Sequence, residues 1–339
     1  MVERLRAFGV EVEVFSLAPT VARVRQDALS ARSMVRPTRI LTSIGYVFRL
    51  ASRLRKSRAA LLHANSLRAC ILGGLAGRLA GVPVVWQIHS VISEPMMTPA
   101  AVRLMRWLAR WLPHRIICNS VATAACFSGL GDRVRIIACG LDTGLYARNG
   151  RAPGASRVGM IARFSPLKGQ HVFVEAAKQV SVGHPDAEFV LAGVPLFGEE
   201  AYADRVRGDA EACVNPDRFQ FLGFVDDVPS LLRELDIVVQ PSVYPEGFGQ
   251  SVLEAMMAGK PVIASATGGL CELVQDGATG RLVPPDDPAA LGHAIHDLLA
   301  DPAAASAMGQ RARRRAFELY DIRGTVQATE RVYAEVARA

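Results

Sequence analysis

The chain has 339 residues, half of them hydrophobic, with 39 Lys plus Arg, 32 Asp plus Glu and a net charge of +7. That length and composition describe a globular protein of two domains, each large enough for its own core. The six cysteines (Cys70, Cys118, Cys126, Cys139, Cys213, Cys271) form no C-x-x-C pair, which argues against structural zinc and a disulfide framework and fits a reducing cytoplasm. No apolar run reaches transmembrane length, and the charged start Met1-Val2-Glu3-Arg4-Leu5-Arg6 leads into no signal-peptide apolar region.

Taken in chain order, short apolar runs alternate with longer amphipathic segments, the pattern of parallel sheets covered by helices. The first half predicts strands over residues 10–15, 60–64, 83–88, 115–118 and 134–138, and helices over 39–56, 67–80, 99–112 and 121–129. A polar Gly/Pro-rich stretch over 148–156 reads as a linker. The alternation restarts with strands over 158–162, 188–192, 219–223, 236–240, 261–264 and 281–283. Helices are expected over 169–182, 199–213, 228–234, 250–257, 289–299, 303–320 and 324–337. The fold class is α/β: two Rossmann-like, doubly wound domains, 1–150 and 151–320, facing each other across a cleft. The C-terminal helix, 321–339, is expected to return toward the first domain.

Charge divides along the same boundary. Residues 1–150 hold 21 Lys plus Arg against 7 Asp plus Glu, and residues 151–339 hold 18 against 25. Two explanations stay open: an arginine-rich composition inherited from a GC-rich genome, or a first domain that faces an anionic lipid surface or a phosphate-bearing acceptor. The segment 101–112 puts Arg103, Arg106 and Arg110 on one helical face beside Trp107 and Trp111. It reads first as a covering helix with its tryptophans in the core, and second as an interfacial helix. Arg53, Arg55, Lys56 and Arg58 form a second basic cluster of the same kind.

Chemistry concentrates in the second half. Arg163 and Lys168 follow a strand at the start of a helix, where open α/β sheets bind ligands; Arg163 can fork onto phosphate oxygens and Lys168 can add a point charge, the alternative being two solvated loop cations. In Pro245-Glu246-Gly247-Phe248-Gly249-Gln250-Ser251-Val252-Leu253-Glu254, two carboxylates flank a glycine-rich turn that opens a helix. The turn offers N–H groups to phosphate, and the carboxylates accept hydrogen bonds from sugar hydroxyls. The alternative for Glu254 is a helix-start glutamate favoured by the helix dipole. Gly268-Gly269 is a further tight turn into a helix, and Asp276-Gly277-Ala278-Thr279-Gly280 a structural turn. In the first half His89 ends a strand and can donate to a sugar hydroxyl or phosphate or move a proton. His63 reads as structural, and Asn119-Ser120 as a helix cap.

Arg163, Lys168, Phe221-Leu222-Gly223, Asp236, Pro241-Ser242, Glu246-Gly247-Phe248-Gly249, Glu254-Ala255, Gly259-Lys260-Pro261-Val262, Gly268-Gly269 and Asp276-Gly277-x-Thr279-Gly280 follow one another in an order that resembles a family 4 glycosyltransferase of the GT-B fold. The resemblance implies a retaining transfer of a sugar from a nucleotide-diphospho-sugar to a saccharide or lipid-linked acceptor, in polysaccharide or glycolipid assembly. It implies Arg163 and Lys168 on the diphosphate, Glu254 on the ribose, Glu246 on the transferred sugar and His89 near it, with Gly247, Phe248, Gly249 and Ser251 beside the donor. It calls for no metal or other cofactor; no nucleic-acid partner is expected, the cysteine usage places the enzyme in the cytoplasm, and the basic first half points to peripheral contact at the inner face of an anionic membrane. Members open with a strand and a glycine-rich loop, whereas this chain starts within what resembles the following helix; either the true start lies upstream or the first domain lacks that strand. Rival readings are a nucleotide-sugar 2-epimerase of the same fold and a catalytically inactive nucleotide-sugar-binding partner subunit.

Overall fold

The computed structural model describes residues 2–16, 37–93, 97–146, 156–213 and 215–338. The first elements are α1 (Val2–Ala7), α2 (Pro37–Lys56), β1 (Leu62–Ala64), α3 (Leu67–Ala80), β2 (Val84–Ile88), α4 (Pro99–Trp111), β3 (Arg115–Cys118), α5 (Val121–Ala124) and β4 (Val134–Ile136). Then come β5 (Arg157–Ile161), α6 (Gln170–Gly183), β6 (Glu188–Ala192), α7 (Glu200–Glu211), β7 (Phe219–Gly223), α8 (Val228–Glu234), β8 (Ile237–Gln240) and α9 (Gln250–Met257). The chain closes with β9 (Val262–Ser265), α10 (Leu270–Leu273), β10 (Arg281–Val283), α11 (Pro288–Ala300), α12 (Pro302–Leu319) and α13 (Ile322–Ala337). Two compact units emerge: residues 1–87, 92–116 and 333–339, and residues 88–91 and 117–332. No helix among the described residues is long and apolar enough to cross a membrane.

One sheet has the order β1-β2-β3-β4, with β1 parallel to β2. Val84, Val85, Trp86 and Ile88 of β2 are all buried, as expected of a strand covered on both faces. Helix α3 starts at Ser66, whose hydroxyl accepts the Ala69 N–H, and stops at Gly81 with φ 71°. Small residues let it lie close to its neighbours: a Cβ on Gly77 would meet the Val84 side chain at 2.3 Å. Helix α2 packs on it through Val47, Ala51 and Leu54 against Ala76 and Val82.

The second sheet has the order β10-β9-β8-β5-β6-β7, parallel throughout. Alternate residues feed separate cores. Phe189 and Leu191 of β6 join Phe173, Leu291 and Ile295 on one face, while Val190 and Ala192 join Val252, Leu253, Met256 and Ala312 on the other. This is the doubly wound arrangement.

Three expectations need correction. Residues 10–15 form no strand. Their alternation is regular, but Val10 and Val14 are exposed and no strand among the described residues pairs with them. The helix expected over 121–129 stops at Ala124, passes into a 3₁₀ turn (Ala125–Phe127) and turns away at Gly129, φ 92°. Trp107 and Trp111 are exposed, not core, because Val102, Met105, Leu108 and Ala109 already fill the inward arc of α4. The linker expected over 148–156 lies outside the described residues except for Ser156.

Candidate active site

From β5 the chain winds outward through β6 to β7, and from β8 through β9 to β10 in the opposite direction. The carboxyl ends of β5 and β8 are therefore the topological switch point, where such sheets bind ligands. Arg163 and Lys168 follow β5, and Ser242 to Glu246 follow β8. The two loops touch at Gly169, φ 79°, where a Cβ would stand 2.0 Å from the Pro241 carbonyl oxygen.

A polar cluster fixes Glu246. Its Oε1 accepts from Lys168 Nζ at 2.5 Å, Ser242 Oγ at 2.6 Å and Gln240 Nε2 at 3.4 Å. Gln240 Nε2 also donates to Ser242 Oγ at 2.8 Å, and Ser251 Oγ donates to Gln240 Oε1 at 2.9 Å. The Lys168 and Glu246 side chains are only 25% and 14% exposed, so this pair is shielded from bulk water far more than a surface ion pair. Gln240 escaped the sequence reading as a supporting residue, although a buried amide ending the apolar run Ile237-Val238-Val239 was the signal available. Ser251, expected beside the donor, gives its proton to this network.

Glu254 lies one turn into α9. Burial holds its carboxyl above the usual carboxylate range, partly offset by the Gln250 amide, which donates to Oε1 at 3.2 Å. Burial, and then the nearby Glu254 charge, raise the phenol of Tyr146. The Phe248 ring is core, edge-on to Tyr320, so that residue offers the site its backbone alone.

Glycines bring three backbone stretches together. A Cβ on Gly247 would lie 1.9 Å from the His89 carbonyl oxygen, and one on Gly268, φ 56°, would lie 2.2 Å from that of Glu246. The Gly269 N–H donates to the Glu246 carbonyl at 2.8 Å. The His89 carbonyl accepts from Asn119 Nδ2 at 3.3 Å, while its side chain is exposed. Asn119 also accepts from Thr123 Oγ1, and Ser120 caps α5 as expected. Arg163 stands apart from the Glu246 cluster, its guanidinium 5.9 Å over the Phe197 ring.

Helices α6, α9 and α10 begin at Gly169, Gly249 and Gly269, which bring no capping side chain of their own, although the Tyr202 hydroxyl accepts the His171 N–H of α6 at 3.2 Å. By contrast α3, α4, α5, α8, α11 and α12 are each capped by a Ser, Thr or Asp side chain. The three glycine starts follow β5, β8 and β9, which are neighbours in the sheet; α7, which follows β6, also lacks a side-chain cap, at Glu199. The N–H groups and positive dipole ends of α6 and α9 suit an anion, whereas the first N–H groups of the four-residue α10 are spent on the Glu246, Thr267 and Gly268 carbonyls.

Residues 147–315 match the family described as Glycosyl transferases group 1, and residues 1–145 match Glycosyltransferase Family 4. The lipopolysaccharide core biosynthesis mannosyltransferase LpcC of Rhizobium leguminosarum bv. viciae is 31% identical over 287 residues, covering 82% of this chain and 79% of that protein. The phosphatidyl-myo-inositol mannosyltransferase of Mycobacterium tuberculosis is 29% identical over 244 residues, 70% of this chain and 62% of that protein. The crystal structure of Anabaena HepE in complex with UDP-glucose aligns with a TM-score of 0.84 at 26% identity, covering 98% of this chain and 88% of that one. The chain belongs to the family 4 glycosyltransferases, enzymes of the GT-B fold that take a sugar from a nucleotide-sugar donor.

Proposed function

We propose that the protein is a retaining hexosyltransferase that moves a sugar from a nucleoside-diphosphate donor to a saccharide or lipid-linked saccharide, in polysaccharide or glycolipid assembly at the inner face of an anionic membrane. The observation that carries this reading is the pair of glycine-started helices, α6 and α9, at the switch point, with the Lys168–Glu246 pair in the loops that lead into them. The N-terminal dipole ends of α6 and α9 and Lys168 hold the diphosphate, and Arg163 adds a second cation. Glu254 accepts the ribose hydroxyls, and Glu246 accepts from the transferred sugar. Both mannosyltransferase relatives act on saccharide- or inositol-bearing molecules by their names, which supports this class of acceptor.

The glycosidic C–O bond to the diphosphate breaks, and its electron pair passes to the phosphate oxygen. Fixed cations and N–H groups stabilise that charge where it develops. The acceptor hydroxyl attacks the oxocarbenium-like carbon from the face the diphosphate leaves. The departing phosphate oxygen takes the hydroxyl proton, and His89 orients the donor sugar. The chain's own cations supply the leaving-group charge, so transfer is expected to persist in a chelator.

Donor turnover by the full chain tests the assignment. Lys168→Ala and Glu246→Ala should each lower turnover by about a hundredfold or more, the order of one lost charge-stabilising contact. Full activity in both variants would remove these residues from the site. Interconversion of the free nucleotide sugar without an acceptor would support the epimerase reading, and donor binding with neither transfer nor hydrolysis the inactive-subunit reading.

A further inference from the structure

Helix α4 carries a face that the transfer chemistry does not use. Its inward arc is filled by Val102, Met105, Leu108 and Ala109. At about 100° per residue, Leu104, Trp107 and Trp111 fall in one stripe about 60° wide, and they are 45%, 56% and 63% exposed. Arg103, Arg106 and Arg110 form the adjoining stripe and are exposed as well. The helix has no acidic residue. Around its circumference, then, core gives way to arginine, arginine to tryptophan and leucine, and these to core again.

An ordinary solvated face accounts for the arginines but not for two open indoles at i and i+4. A lipid interface accounts for both. Indole rings settle at headgroup depth with the N–H toward water, and guanidinium groups fork onto lipid phosphates. Charge complementarity selects an anionic bilayer as the occupant. Residues 1–150, which contain α4, hold 21 cationic against 7 acidic side chains, whereas the rest of the chain is net acidic.

We infer that the exposed face formed by Arg103, Leu104, Arg106, Trp107, Arg110 and Trp111 docks the protein on an anionic phospholipid bilayer. This deepens the membrane contact in the proposed function and rests on it, but it does not depend on the donor chemistry.

Sedimentation of the full chain with phosphatidylcholine vesicles, with and without phosphatidylglycerol, tests it. The wild-type chain should bind the mixed vesicles, release them at high salt and show a blue-shifted tryptophan emission when bound. Arg103→Gln with Arg106→Gln and Arg110→Gln should weaken binding by on the order of a hundredfold. Trp107→Ala with Trp111→Ala should weaken it by about tenfold or more and abolish the blue shift. Both variants should keep the wild-type thermal transition and donor hydrolysis in solution, since all six side chains lie on the surface. Vesicle binding without hydrolysis would keep this face and remove the donor reading; hydrolysis without vesicle binding by the wild type would do the reverse. Unchanged affinity in the tryptophan variant would overturn the inference, as would a concentration-dependent dimer that the same substitutions dissolve.

Discussion

Glu254, the proposed ribose acceptor, shows how a group suited to binding can weaken the fold that carries it. Its carboxyl is held above its ordinary range by burial, so at neutral pH its ionised form opposes folding. The sign follows from linkage: this carboxyl favours the fold at acid pH, and the benefit is lost as pH rises through its folded value. Hydroxyls of a bound ribose would supply the hydrogen bonds that water no longer gives. Glu254→Gln should therefore raise the ligand-free melting temperature at pH 7 by about 2–4 °C, the equivalent of about 1 kcal/mol. The same change should weaken nucleotide binding by about tenfold or more, because a charge-assisted acceptor is lost. Differential scanning fluorimetry and calorimetric titration check the two halves. Wild-type nucleotide affinity in the variant would take Glu254 out of the site.

Among elements, the glycine-started turns bear most of the site's geometry. Gly268 and Gly277 both have positive φ, 56° and 70°, but only Gly268 has backbone in the way: Glu246 O at 2.2 Å and N at 2.7 Å, against nothing within 4 Å at Gly277. Gly277→Ala should cost about 1 kcal/mol from backbone strain alone. Gly268→Ala must also separate two main chains and should cost about 2–4 kcal/mol, with a matching fall in donor affinity. Urea denaturation of the two variants compares them directly; equal losses would mean that the close approach carries no energy. Much at this scale was legible in advance. Strands such as Glu188–Ala192 and Phe219–Gly223 are short β-branched or aromatic runs, and Glu246, Lys168 and Gly247 were named from spacing at strand ends. What was not legible depended on partners distant in sequence. Residues 10–15 alternate like a strand, but alternation cannot supply a neighbour to pair with. Helical periodicity put Trp107 and Trp111 near the arginines, yet only the filled inward arc of α4 shows them to be outside the core. Gln240 gains its meaning from Ser242, Ser251 and Glu246 converging on one amide.

On the scale of the molecule, the first unit is assembled from separated stretches of chain, and its last piece, residues 333–339, arrives from the far terminus. There the Tyr333 hydroxyl meets His63 Nδ1 at 2.6 Å, Arg115 pairs with Glu335 at 3.2 Å, and Val336 is 2% exposed. The valine and the tyrosine–histidine bond should dominate, since a half-exposed ion pair contributes little. Removing residues 333–339 should then destabilise the first unit by about 2–3 kcal/mol. Hydrogen exchange would detect this as faster exchange in β1 and β2 with β5, β6 and β8 unchanged; uniform acceleration across both sheets would refute so local an effect. His63 adds a pH signature. Burial lowers its pKa from 6.5, with the Gln87 side-chain hydrogen bond acting the other way. A histidine favoured in its neutral form contributes stability that is present above about pH 6.5 and is lost as pH falls through and below that value. Protection of β1, taken as exchange corrected for the intrinsic pH dependence of amide exchange, should therefore fall on acidification from pH 7 to about pH 5 in the wild-type chain. In His63→Gln, which has no imidazole to charge, that loss of protection should be smaller.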